Sequence, residues 1–520
     1  MPTYISPGTY TNIQDSSQYA APASLTTCGI VGAATRGPVL GAYNASAKTY
    51  NTPVLITSPA QFISVFGNPS PQYQGPYAAL LYLRKGAQLY YGRVVGTGAA
   101  VASYTIDSIL VVSALNEGAW GNSIGITLQD SYVSGTKKIT VYESVGGSYI
   151  SREVYDGLSA DPTSTAYYLT VINGASNYIQ VAYASGQSGQ PANTTSGSII
   201  PLTGGVDGAA PADADIIGTV SDAVSTGLQA FADIDLIDVS MIAAPGYSSA
   251  AVVSAIATLT DTRQDCLGVL HGPQGLNAQE IVDWHNAAGS FASGGGTPSV
   301  RIVTNTCALY WPWVQIYDPY NSQNVWVPPT GFALQIVANT DNVGEPWYAP
   351  AGINRGSLFE ALAVEYNSTR GQRDLMHGPG NGNAVNPIVN LPLDGITLYG
   401  QRTMQRTASS LDRINVRRLL FYMSKVLSRA CRVLEFEQDD QLLWDQFNLL
   451  VAPFVQDIKN RRGVEQFAVV CDATTNTAFR RNNNELWGYV ILIPTKTAEK
   501  VIVNFSLLPS GASLSIPQIG

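Results

Sequence analysis

Charge is scarce in this 520-residue chain: Asp, Glu, Lys and Arg make up 12% of it, about half the ~25% usual in soluble globular domains. The balance is acidic, with a net charge of −9 and a pI near 4.9, which argues against a general attraction to nucleic acid or anionic membrane. The five cysteines, Cys28, Cys266, Cys307, Cys431 and Cys471, are odd in number, far apart and never in C-x-x-C. They read as reduced, buried thiols and not as a disulfide framework. Histidine is scarcer still. His271, His285 and His377 stand at no metal-ligand spacing. No G-x-x-x-x-G-K-[ST] or G-x-G-x-x-G occurs, so nucleotide chemistry lacks its usual handle. No apolar run approaches the ~18 residues of a membrane span. No Lys or Arg precedes Arg36, so a secretory signal is not expected. The expectation is a protein with no metal, no cofactor, no nucleic-acid contact and no membrane insertion.

What is present is a wealth of Ser, Thr, Asn, Gln and Gly. Uncharged polar surface is easily desolvated when subunits pack, so the composition leans towards an assembly. The length exceeds one compact unit and implies several domains.

Residues 1–20 read as an extended arm, with short β-prone pieces "TYI" and "TYTNIQ" and Asp15 as the only charge. An α/β middle domain is expected over 21–106 plus 202–345. Its signals are the buried strand "CGIVGAAT", the strand "PVLITS" and a helix starting at Ser58 with Pro59 in its first turn and Gln61 three residues on. A second helix "YAALLYLRKG" leads to the strand "QLYYGRVVG". After 202, strands alternate with helices, the pattern of a parallel sheet covered on both faces. Between them, residues 107–201 carry strand runs about every ten residues, including "AYYLTVING", and read as an inserted antiparallel β-sandwich. Residues 346–499 form an α+β unit. It has two helices, with Asp439 and Asp440 at the start of the second and Pro453 inside it, followed by the strands "EQFAVVCD" and "LWGYVILIP". A closing strand and arm occupy 500–520, where Val501, Val503, Phe505 and Leu507 alternate with Ile502, Asn504 and Ser506.

"GNSIG", Gly121–Gly125, matches the nucleophile elbow G-x-S-x-G with Ser123 as nucleophile. That elbow needs a strand before and a helix after, whereas "ITLQDS" continues as a strand, so a glycine turn opening a β-strand is the better reading. A serine hydrolase, or a surface-layer or adhesin-type protein binding glycans through the insert, stands as the alternative function. The acids of "ADIDLID" show nothing that would separate their pKa values as a catalytic pair requires. Charge placement says more. From Gln401 to Arg432 eight cations, among them Arg402, Arg406, Arg413, Arg417 and Arg418, face Asp412 alone, +7 in a chain of −9. This is a solvated helix face or a surface for an acidic partner; nucleic acid ranks third, since no interleaved aromatics or reader motif accompany the cations.

"YISPGTYTNIQD", "GIVGAATRGPV" followed by "PVLITSPAQFISVFG", "AWGNSIGITL", "PLTGGVDG", "YWPWVQIYDP", "VPPTGFALQIVANTD", "INVRRLLFYMSKVL" and "FAVVCDATTNT" resemble, in that order, the contractile-tail sheath proteins of bacteriophages, related to R-type pyocin and more distantly type VI secretion sheaths. The resemblance implies a structural, non-enzymatic subunit that forms hexameric rings stacked helically around an inner tail tube. It implies contraction that drives the tube through the bacterial envelope, and partners in the tube, baseplate and tail terminator proteins. It also implies a virion location after assembly in the host cytoplasm. It further implies an inner layer built from the chain start and the C-terminal third, with terminal strands swapped between neighbours. Tyr4, Ile5, Tyr10 and Ile13 at one end and Val501, Val503, Phe505 and Leu507 at the other are the candidates for that exchange. Arg402, Arg406, Arg413, Arg417 and Arg418 are the candidates for facing the tube.

Overall fold

The computed structural model describes residues 27–41, 52–195, 198–221, 224–288, 301–377 and 382–503. The chain enters through β1 (Thr27–Gly32), all six residues buried, and continues through β2 (Val54–Ile56), α1 (Pro59–Phe66), α2 (Gln74–Leu83) and β3 (Gln88–Arg93). The start of α1 follows from its sequence. The Ser58 hydroxyl accepts the Gln61 N–H at 3.2 Å, and Gln61 Oε1 reaches back to the Thr57 N–H at 2.9 Å.

The insert holds β4 (Ser103–Ile106), β5 (Leu110–Ala114), β6 (Ile124–Asp130), β7 (Lys137–Val145), β8 (Ser148–Leu158), α3 (Tyr168–Ala175), β9 (Ile179–Tyr183) and β10 (Ile200–Pro201). Two antiparallel sheets, β4-β5-β9 and β10-β6-β7-β8, enclose a core that includes Val112, Ile126, Ile139 and Val181. "AYYLTVING", expected as a strand, is α3. Tyr168 and Ile172, four apart, are both buried, so a helix places them on one face of the same core where a strand would also have done. Entry and exit run side by side, with Ala100 bridging Val206 and Ser103 bridging Thr203.

The return pass contributes α4 (Asp213–Ile217), β11 (Met241–Ala243), α5 (Ala250–Arg263), β12 (Leu267–His271), α6 (Ala278–His285) and β13 (Cys307–Trp311). A small sheet β15-β14-β16 follows, from β14 (Val314–Asp318), β15 (Gln323–Val327) and β16 (Ala361–Val364), with α7 (Thr330–Val343) between the last two. Then come α8 (Arg370–Met376), β17 (Val385–Leu391) and β18 (Gly395–Leu398). The central sheet has eight strands in the order β18-β17-β13-β12-β11-β1-β3-β2. It is parallel from β17 to β3 and antiparallel at both edges. One departure from the sequence-drawn boundary at 345/346 stands out. β17 and β18 complete the central sheet and bury Val385, Ile388 and Leu398 in its two cores. Covering that sheet outweighs local grouping with the helices that follow.

The last unit comprises α9 (Ile414–Cys431), α10 (Gln441–Asn460), β19 (Val464–Val470), α11 (Ala478–Asn482) and β20 (Tyr489–Pro494). Asp440 caps α10 by accepting the Leu443 N–H at 3.1 Å, and the helix continues through Pro453. Leu419, Met423 and Val426 of α9 pack with Val451, Val455 and Ile458 of α10 and with Trp347. Ile414 and Phe421 of α9 belong to the core of the central sheet, so α9 is shared between the two units.

Candidate functional site

β19 and β20 form a two-stranded antiparallel sheet. Phe467, Val469, Val490 and Leu492 pack towards the helices, while Tyr489, Ile491 and Ile493 point outward and are 42%, 58% and 49% exposed. Neither outer edge has a strand partner among the described residues. Unpaired main-chain groups beside exposed apolar residues make a template for another strand. Past β20 the chain is tied down twice. Thr497 Oγ1 accepts from Gln401 Nε2 at 2.6 Å, and Glu499 pairs with Arg413. Beyond, Val501, Ile502 and Val503 are 83%, 80% and 66% exposed. The closing strand read from Lys500 onward is not a strand in its described part, 500–503. Its alternation has no partner within the subunit's described residues. Tyr4, Ile5, Tyr10, Ile13, Phe505 and Leu507 lie outside the described residues.

The basic segment is largely spent inside the subunit. Arg402 and Arg413 share Asp412, at 3.3 and 2.8 Å, and burial followed by the nearby Arg413 charge pushes the Arg402 guanidinium below its usual pKa. Arg417 donates to Gln264 Oε1 and lies 4.4 Å over the Phe421 ring; burial lowers its pKa too. Arg418 is 2% exposed and grips both Asp341 oxygens at 2.6 Å and the Pro346 carbonyl at 3.1 Å. Burial pushes the Asp341 carboxyl up while Arg418 pulls it back. Lys425 and Arg429 share Asp238, and Arg432 meets Asp235 at 2.9 Å. The surplus on α9 is therefore a rail of cations facing acids of the α/β unit. As corrections, Arg417 and Arg418 are interior and do not form a face for a partner. Arg402 and Arg413 are half-buried and paired, and Arg406 is exposed without an ion partner among the described residues. Sequence spacing missed the rail because its acids lie far away along the chain. The only available signal was the abundance of acids elsewhere.

Ser123 ends a short 3-10 turn and opens β6, its hydroxyl donating to the Trp120 carbonyl at 2.6 Å. No helix follows it. The two glycines are there for packing: a Cβ on Gly121 would stand 2.7 Å from the Ala102 Cβ, and one on Gly125 would stand 2.8 Å from the Tyr149 ring. His271 and His285 are buried in the central unit, far in the chain from this turn. All five cysteines are free. Among the described residues there is no cluster of potential metal ligands, and no helix is long and apolar enough to cross a membrane.

No protein-family model matches the chain. Curated relatives do. The tail sheath protein of Enterobacteria phage T4 is 29% identical over 296 residues, 54% of this chain and 44% of the relative. That of Vibrio phage KVP40 is 31% identical over 259 residues, 48% of this chain and 38% of the relative. The chain thus spans less than half the length of these two relatives, which are named as sheath proteins and not as enzymes. Among solved structures, the sheath tail protein of Listeria innocua aligns with a TM-score of 0.58 at 13% identity, covering 90% of this chain and 94% of that one. The contracted sheath of an extracellular contractile injection system aligns with a TM-score of 0.55 at 13% identity, covering 97% and 98%. In sequence over about half its length, and in fold over nearly all of it, the chain resembles the tail sheath proteins of contractile phage tails and injection systems.

Proposed function

We propose that the chain is the structural subunit of a contractile tail sheath, polymerising as hexameric rings stacked helically around an inner tail tube and shortening to drive that tube through a bacterial envelope. Its partners are then its own copies, the tube protein, and the baseplate and tail terminator proteins. It belongs to the virion tail and is assembled in the host cytoplasm. The observation that carries this reading is the β19–β20 ribbon, whose two outer edges have no strand partner among the described residues, followed by the exposed run Val501–Val503. A terminal strand of one copy added to the ribbon of another gains main-chain hydrogen bonds, with alternate side chains setting register. Val501, Val503, Phe505 and Leu507, together with Tyr4, Ile5, Tyr10 and Ile13, are the exchange residues. Work on contraction comes from replacing one set of subunit contacts by a more stable set. For the tube, Arg406 is the exposed cation of the basic segment that has no ion partner among the described residues, and Arg402 and Arg413 are the half-buried candidates on either side of it in sequence.

Deleting residues 500–520 tests the reading. The expected product is a folded subunit, with circular dichroism and thermal midpoint unchanged, that forms neither rings nor tubes in negative-stain images. Normal polymers from the truncated chain would refute strand exchange at this end.

A further inference from the structure

A cavity of about 450 Å³ opens between the start of α9 and the chain leaving β20, lined by Ser409, Ser410, Asp412, Arg413, Asn415 and Lys496 among others. Two features single it out. The first turn of the 18-residue α9 has no side-chain cap, since Arg413 occupies the N-cap position; the Ile414 N–H is taken by the Gln401 carbonyl at 3.0 Å, and the uncapped N–H groups that follow it at the helix start attract anions. Independently, Asn415 lines the cavity at only 3% exposure, and although its Nδ2 reaches the Trp347 carbonyl at 3.3 Å, its Oδ1 has no hydrogen-bond partner. Lys496 is exposed and has no ion partner among the described residues, whereas Asp412 is already held by Arg402 and Arg413.

The ligand must therefore bring a negative group for Lys496 and the helix start, and also a donor for Asn415 Oδ1. Chloride and sulfate have no such donor. A peptide with a carboxylate side chain has both.

We infer that this cavity is the receptor for Asp15 of a second copy of the chain, its carboxylate set between Lys496 and the first turn of α9 and a main-chain N–H of the same segment donating to Asn415 Oδ1. The inference rests on the strand-exchange reading and adds to it a registered endpoint. Asp15 is the only charged residue among the first 26 and stands two positions past Ile13, the last exchange candidate of that segment, while residues 504–520 carry no charged side chain. Pro494, the last residue of β20, is part of the cavity wall. A strand added along β20 runs directly onto it.

The test uses the full-length chain in two isotopic forms, ¹⁴N and ¹⁵N, mixed before assembly and treated with a carbodiimide. Mass spectrometry is expected to find Asp15 joined to Lys496 between light and heavy copies. Asp15→Lys and Lys496→Glu are each expected to raise the lowest polymerising concentration about tenfold, the scale of one charge-assisted contact, and Asp15→Lys with Lys496→Asp to recover most of it. Cross-links from Lys496 to another carboxylate, links only within one copy, or parental assembly of both single variants would overturn the inference. If that happens while loss of residues 500–520 still blocks assembly, strand exchange stands without this contact. Normal assembly of the truncated chain removes the reading beneath it.

Discussion

Lowering the pH from 7 to 5 should destabilise the subunit through its three histidines. His271 is 2% exposed, lies against the Trp313 ring and has no partner for Nε2. His285 is equally buried, has no partner for Nδ1, and accepts at Nε2 from Arg301 at 3.3 Å, so protonating it would set two cations side by side. Burial holds His271 at about 3; burial and then Arg301 hold His285 at about 3; burial and then Arg402 hold His377 at about 4, all against an ordinary 6.5. Above pH 6.5 neither the folded nor the unfolded chain protonates them and nothing is lost. Below it the unfolded chain takes up protons that the folded chain refuses, and stability falls until each folded pKa is reached. At pH 5 each histidine withdraws about 2 kcal/mol, and the three together about 6 kcal/mol, comparable with the ~5–15 kcal/mol of a typical fold. Asp318, whose hydrogen bonds lower its pKa against burial, loses its contribution only as pH falls below its ordinary 3.8, outside this window. Asp341, pushed up by burial, has the opposite sign: its ionised form costs stability, and that cost is relieved only as pH falls through its raised folded pKa. Urea midpoints followed by tryptophan fluorescence at pH 7 and pH 5 measure the effect, with His271→Gln removing about a third of it. A difference under about 1 kcal/mol between the two pH values would refute the argument.

Two substitutions probe how the units are held together. Arg418→Met leaves Asp341 buried without its cation and should cost about 3–5 kcal/mol in urea unfolding, most of it recovered by adding Asp341→Leu; a loss below about 1 kcal/mol would contradict the rail. Arg93 is 2% exposed and donates to the Ala34, Gly37 and Glu117 carbonyls at 3.0, 2.7 and 3.0 Å. Arg93→Met strands these acceptors at about 1–3 kcal/mol each and should speed proteolytic release of the insert. Cleavage at the parental rate would show that the guanidinium does not anchor it.

Much of the fold was legible because its signals are local. Ser58, Pro59 and Gln61 announce α1, Asp440 announces α10, and the buried apolar run of β1 announces a strand covered on both faces. The misses have a common physical origin. β-Prone residues in α3 yield to a core that accepts Tyr168 and Ile172 at helical spacing. By sequence β17 and β18 group with the helices after them, because nothing in their residues says that an edge of a sheet begun some 350 residues earlier awaits them. The cations of α9 looked like a free face because charge counting along one helix cannot see Asp238, Asp265 and Asp341 on other elements. For the candidate site, the alternation around Val501 is readable in the sequence, whereas the open ribbon beside it emerges only once β19 and β20 are seen, among the described residues, to pair with each other alone.

The paired crossing at the root of the insert, Ala100 beside Val206 and Ser103 beside Thr203, has a consequence for change over time. Because the two crossing points are neighbours, the roughly hundred residues beyond them close a loop whose ends the host fold already fixes, and loop-closure entropy grows only slowly with length. Lengthening, trimming or exchanging that lobe leaves the eight-stranded sheet with the same boundary. One framework can thus carry very different lobes at this position while its central sheet stays as it is.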